Sequence, residues 1–222
     1  MYKTILFDLD GTLLDTTDGV IEAVKITIQE LGLKMPNEDV LKAFVGPPMQ
    51  SSFQKYFDLD KETALKNANL FRANYKKHSL FIAKPYAGSL ELLEYLKENG
   101  CKLAVATNKS HENAMGILDK FGISKYLDYA LGSDLEGKLT KKDIVNICIE
   151  KLNAKKEECV LIGDSTADST GAKEAGIDFI ALTYGFGFKS KNDLDGIANV
   201  GIYNSIEELK EYFEKETLCL KN

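Results

Sequence analysis

The stretch "TILFDLDGTLLDT", residues 4–16, decides the fold. Ile5, Leu6 and Phe7 form a short apolar run of the kind a buried strand requires, and the run stops at Asp8, with Asp10 two positions on. Burying an uncompensated carboxylate costs several kcal/mol, so a strand that ends in two acids must deliver them to something of opposite charge. A turn-forming Asp before glycine accounts for Asp10 in D-G-T. It leaves Asp8 unexplained. If the strand runs over 4–9, both side chains share one parity and face one site.

Working outward, one unit recurs: an amphipathic helix, a glycine, then an apolar run. "SLELLEYLKENG" aligns Leu92, Leu93 and Leu96 and stops at Gly100; "HENAMGILDKFG" stops at Gly122 and "STADSTGAKEAG" at Gly176. Strands are predicted over 4–9, 101–106, 127–131, 158–163 and 178–182. Such alternation predicts an α/β fold, a parallel sheet with helices on both faces. Residues 16–83 break the rhythm with helix after helix, among them a stripe of Val20, Val24, Ile28 and Leu31. They read as a helical insert that separates the first strand from the other α/β units. The last dozen residues read as a charged, fraying tail.

The totals bound the function classes. In 222 residues, 44% are hydrophobic and 28% charged, as in an ordinary globular protein, and the net charge of −6 disfavours a nucleic acid polymer as partner. No stretch reaches the ~18–20 apolar residues of a membrane span. Cys101, Cys148, Cys159 and Cys219 lack C-x-x-C spacing, which fits reduced thiols and a cytoplasmic location, with Cys101 and Cys148 packed in the core. His78 and His111 have no ligand-spaced neighbours and are expected to stand outside the chemistry.

Open parallel sheets bind ligands beyond the carboxyl ends of their strands. The polar residues expected there are Asp8, Asp10, Gly11 and Thr12; Thr107 and Asn108; and Gly163, Asp164, Ser165 and Asp168. A lysine pair, Lys141 and Lys142, opens a helix. Four converging acids cannot stay ionised without a cation, and hard oxygen ligands suit Mg²⁺. Thr107 and Asn108 taken alone would serve as a helix cap. Beside a metal and a lysine they read as donors to phosphate oxygens.

"FDLDGTLLDT" resembles the D-x-D-G-T signature of the haloacid dehalogenase superfamily of phosphohydrolases. "VATNK", "KLTKKDIV" and "LIGDSTAD" resemble its second, lysine and G-D-x-x-x-D motifs, in the family order and across essentially the whole chain. The resemblance implies a Rossmann-like core at 1–15 and 84–222 and a small α-helical cap domain at 16–83. It implies Asp8 as nucleophile and Asp10 as general acid/base. Mg²⁺ would be held by Asp8, the backbone carbonyl of Asp10, and Asp164. Phosphate contacts would come from Gly11, Thr107, Asn108 and Lys141, chosen over Lys142 because it fits the basic-x-x-K pattern, with Ser165 and Asp168 behind them. "VGPPMQSSF", "GSDLEGK" and "GAKEAGI…LTYGFG" are similar to the phosphoglycolate phosphatase-like branch and its 5′-nucleotidase-like members.

These expectations define a Mg²⁺-dependent phosphomonoester hydrolase that acts on a small phosphorylated metabolite through an aspartyl phosphate. The alternatives are a sugar phosphomutase, an inorganic pyrophosphatase or a non-catalytic phosphate-binding regulator. Lys141-Lys142 and Gly163-Asp164 stand where a mutase usually carries a lysine-proline and an acidic-Asp pair, which favours hydrolysis. Substrate choice is expected on the cap, through the Gly46-Pro47-Pro48 loop and the cations Arg72 and Lys76. Phe44 and Met49 are placed either to stack on a base or to fill the core, and the rim is expected at Tyr184–Gly187. The chain is expected to be a monomer or homodimer.

Overall fold

A computed structural model describes residues 2–134 and 138–218. The chain opens with β1 (Thr4–Phe7) and β2 (Leu14–Asp15), followed by helices α1 (Thr17–Glu30), α2 (Glu38–Lys42), α3 (Met49–Phe57) and α4 (Lys61–Asn74), then β3 (Lys84–Pro85). The remainder alternates: α5 (Ser89–Glu98), β4 (Lys102–Ser110), α6 (His111–Lys120), β5 (Tyr129–Ser133), α7 (Lys141–Lys151), β6 (Cys159–Gly163), α8 (Thr166–Ala175), β7 (Asp178–Leu182), β8 (Gly201–Tyr203) and α9 (Ile206–Leu218). Two compact units result, Met1–Asp15 with Pro85–Asn222, and Thr16–Lys84.

The first unit is built on a parallel sheet of six strands in the order β5-β4-β1-β6-β7-β8. The apolar runs form strands because both faces of a parallel sheet are covered, so the residues inside it are nearly all apolar. β1 lies inside the sheet, with Thr4 to Phe7 in register with Lys102 to Val105 on one side and Cys159 to Ile162 on the other. On one face Leu6, Ala104, Leu161 and Ala181 pack with Ile144, Val145, Cys148 and Ala172 of α7 and α8. The helix–glycine–strand units end as the sequence predicts: Gly100, Gly122 and Gly176 all take left-handed backbone after their helices.

Four readings need correction. β1 stops at Phe7, because the Leu9 carbonyl accepts the amides of Thr12, Leu13 and Leu14 and turns the chain. Asp8 and Asp10 therefore do not share one strand face. β4 continues to Ser110, with an irregularity between Ala106 and Ser110. β8, a short half-buried strand, carries too little apolar pattern to be predicted. Residues up to Leu218 continue α9 where a fraying tail was expected. Cys219 and, within "GSDLEGK", Leu135–Gly137 lie outside the described residues; Cys101, Cys148 and Cys159 are free and buried.

The second unit packs α1 through Gly19, Ala23, Val24, Thr27 and Ile28. A π-helical turn, Tyr75–Ser79, extends α4. Asn74 Nδ2 donates to Thr27 Oγ1 at 3.2 Å and Glu30 Oε2 at 3.0 Å, tying the end of α4 to α1. Phe44 is 1% exposed and packs edge-on against Phe53, which makes it a core residue of this unit. Among the described residues no helix is long and apolar enough to cross a membrane.

Candidate active site

The acids at the strand ends do converge, with one exception. Asp8, Asp164 and Asp168, all buried, place carboxylate oxygens within 4.8 Å of one another. Lys141 Nζ lies 2.7 Å from Asp8 Oδ1 and 2.7 Å from Asp168 Oδ1. Asp10 is the exception. Its carboxylate turns with the Gly11 loop and meets Lys109 Nζ at 3.0 and 3.2 Å.

Each member is held by local structure. Lys141 is the first residue of α7, whose N-terminus is fixed by a reciprocal capping box between Thr140 and Asp143. Asp168 lies in the first turn of α8, where its Oδ2 accepts from Ser165 N at 3.0 Å and Ser165 Oγ at 2.6 Å. Asp164 Oδ2 accepts the backbone N–H groups of Phe186 at 2.5 Å and Gly187 at 3.0 Å. Gly11 has φ +85°, and a Cβ there would stand 2.6 Å from Asp164 Oδ2, so only glycine fits both the turn and the approach. Small residues surround the acids elsewhere too: a Cβ on Gly163 would strike the Asp168 carboxyl group, and one on Gly171 would lie 2.5 Å from Lys141 Cγ.

The electrostatics follow from crowding. Burial, against the pull of Lys141 and with the push of Asp168 and Asp164, raises Asp8 to about 7. Burial and Asp168 raise Asp164 to about 6, against the pull of the Gly187 and Phe186 amides. Burial disfavours the Lys141 ammonium, but Asp168 and Asp8 outweigh it and hold the lysine charged. Three carboxylates against one ammonium leave excess negative charge in a buried space. A compact set of oxygen donors in that condition fits a hard divalent cation such as Mg²⁺.

Thr107 is buried at the end of the apolar part of β4, and its Oγ1 accepts the amide of Lys109 at 3.2 Å. Asn108 is exposed, with its backbone carbonyl accepting from Ser133 Oγ. Lys142 is exposed where Lys141 is buried. Gly46, Pro47, Arg72 and Lys76 belong to the second unit; Arg72 is exposed and donates to Asn69 Oδ1, and Lys76 is exposed in the π-helical turn. His111 Nδ1 accepts the Gly132 amide and links α6 to β5. Sequence reasoning missed Lys109, which at the end of "VATNK" looks like any solvated lysine. It placed Phe186 and Gly187 only at a rim, whereas their amides hold Asp164.

Comparison with known proteins specifies the class. The sequence profile of the haloacid dehalogenase-like hydrolases matches residues 5–182. A 5′-nucleotidase of Pseudomonas aeruginosa is 33% identical over 84% of this chain and 85% of its own length. Tyrosine-protein kinase PtkA of Mycobacterium tuberculosis is 30% identical over 94% of this chain and 72% of its own. The phosphoglycolate phosphatase of Aquifex aeolicus is 32% identical over 83% and 86%. The crystal structure of a predicted phosphatase from Clostridium acetobutylicum superposes with a TM-score of 0.86 at 36% identity, covering 97% of this chain and 99% of that one. The chain is an enzyme of the phosphatase class. Within that class it belongs to the haloacid dehalogenase-like hydrolase family.

Proposed function

We propose that this enzyme hydrolyses small phosphomonoesters in a Mg²⁺-dependent reaction through an aspartyl phosphate on Asp8. The observation that carries the proposal is Lys141, held between Asp8 and Asp168 beside Asp164. A lysine charged by its neighbours and aimed at a carboxylate suits the binding of a phosphoryl group next to its acceptor. Asp8, Asp164 and the backbone carbonyl of Asp10 would hold Mg²⁺, which when bound supplies positive charge to the phosphoryl oxygens.

The residues divide the work as follows. An Asp8 oxygen attacks phosphorus while the bond from phosphorus to the ester oxygen breaks, and Asp10 gives its proton to that oxygen so that the alcohol departs. Water then attacks the phosphorus of the aspartyl phosphate and yields a proton to Asp10. The acyl phosphate bond breaks, and Asp8 and inorganic phosphate are released. Lys141, Thr107 and Asn108 bind phosphoryl oxygens, Ser165 with Asp168 keeps the lysine aimed, and Gly11, whose N–H is taken up by the Leu14 carbonyl, shapes the turn beside them. Residues 16–83 act as the cap, with Gly46, Pro47, Arg72 and Lys76 selecting the substrate. The relatives' names favour phosphoglycolate or a nucleoside monophosphate over a sugar phosphate to be isomerised.

The test is turnover with Mg²⁺ of p-nitrophenyl phosphate, phosphoglycolate, nucleoside monophosphates, sugar phosphates and pyrophosphate by wild type and Asp8→Asn. Asp8→Asn is expected to lower kcat by roughly a thousandfold or more, as losing a covalent nucleophile does. Equal rates for the two proteins would remove Asp8 as nucleophile. Transfer of phosphate from ATP to tyrosine without ester hydrolysis would favour the activity named for PtkA.

A further inference from the structure

The two aspartates that follow β1 each have their own lysine. Lys141 serves Asp8, as described. Lys109 serves Asp10, with Nζ 3.0 Å from Oδ1 and 3.2 Å from Oδ2, so that one ammonium addresses both oxygens. The Lys109 side chain is only 9% exposed and that of Asp10 26%, unlike the surface pairs of this chain. Its backbone is fixed as well, through the bond from its amide to Thr107 Oγ1. Confining a lysine in this way costs rotamer freedom, and a solvated pair would return little of it. The carboxylates of Asp8, Asp164 and Asp168 cluster around Lys141, while that of Asp10 is engaged by Lys109.

We infer that Lys109 is a positioning residue for Asp10, fixing its carboxylate between the ends of β1 and β4 so that its proton is delivered to the departing oxygen. The inference rests on the role assigned to Asp10 in the hydrolytic reaction above. Lys109 acts through Asp10, and so its effect should scale with how much the leaving group needs a proton. p-Nitrophenolate leaves almost unaided; an alkoxide does not.

The experiment compares kcat/KM for p-nitrophenyl phosphate and glycerol 2-phosphate with Mg²⁺. This quantity ends with departure of the alcohol, so the later hydrolysis of the aspartyl phosphate does not blur it. Lys109→Met is expected to lower the value for glycerol 2-phosphate by on the order of tenfold more than for the aryl ester, a share of the 10²–10⁴ that acid catalysis supplies. Lys109→Arg should restore most of the difference. Lys109→Gln, which keeps a hydrogen-bond donor without the charge, carries the same expectation as Lys109→Met should the latter fold poorly. An equal loss on both esters, as a phosphate-binding lysine would give, overturns the inference, and so does an unchanged alkyl rate. Wild type inert on every ester tested would instead overturn the hydrolytic reading itself, and it is seen without any variant.

Discussion

Asp168 uses its two oxygens for two tasks. Oδ1 pairs with Lys141, while Oδ2 closes the first turn of α8 with the amide and hydroxyl of Ser165. At 1% exposure it has no water to replace either partner. Asp168→Asn keeps an acceptor for the cap but removes the charge, leaving a buried ammonium with Asp8 as its remaining carboxylate. The expected cost is about 2–3 kcal/mol, below the 3–5 of a fully broken buried pair. That corresponds to a fall in Tm of roughly 4–12 °C for a chain of this size, read by thermal unfolding. An unchanged Tm would show that Lys141 does not depend on Asp168. Asp8 and Asp164 were legible in the sequence because a polar residue that ends an apolar run needs a partner, whereas Asp168 and Lys141, which lie in the first turns of helices, were picked out by the motifs they complete. Asp10 was legible as a site residue, but its partner Lys109 was not. Their pairing depends on β1 stopping at Phe7, which the local turn on the Leu9 carbonyl sets, and on β4 continuing to Ser110, which its pairing with β5 sets; neither is written in the side-chain pattern.

At the scale of elements, α1 shows where pattern reading ends. Its expected stripe was Val20, Val24, Ile28 and Leu31; the buried face instead runs through Gly19, Ala23, Val24, Thr27 and Ile28, with Val20 and Leu31 half-buried. The shift has a steric cause. A Cβ on Gly19 would lie 2.5 Å from the carbonyl oxygen of Ile82 and 2.7 Å from that of Ser79, so the helix presents glycine to a passing backbone. Hydrophobic periodicity cannot register a residue selected for having no side chain. In an exposed helix Gly19→Ala would stabilise by about 1 kcal/mol. Here backbone atoms cannot swing aside, and overpacking of about 1–3 kcal/mol should exceed that gain. A urea titration is expected to show a lower midpoint for the variant, and a higher one would mean that residues 79–82 yield. The π-helical turn Tyr75–Ser79 and the short β8 escaped the sequence for a related reason, since both are settled by neighbouring elements. The long alternation of α5 to β7 was legible because burial on both faces of the sheet writes itself into continuous apolar runs.

For the whole molecule the decisive quantity is the unbalanced charge at the ends of β1 and β6. In the metal-free protein burial raises Asp8 to about 7 and Asp164 to about 6, while both would titrate near 4 in the unfolded chain. Between about pH 4 and 7 these two groups hold protons in the folded state that the unfolded chain has released, so their contribution to the stability of the metal-free protein falls as pH rises. Mg²⁺ binds the ionised carboxylates and must displace those protons. The stabilisation it confers should then be small at pH 5 and reach its full value above about pH 7.5. With Mg²⁺ at a hundred times its Kd the gain is ~2.7 kcal/mol, about 5–10 °C in Tm. Asp164→Asn removes one of the charged donors and should abolish most of this gain at every pH. A Mg²⁺-induced shift of equal size at pH 5 and pH 8, or one that survives Asp164→Asn, would place the cation elsewhere on the protein. Because the readout is unfolding, it tests the carboxylate cluster as a metal site whether or not the substrate has been found.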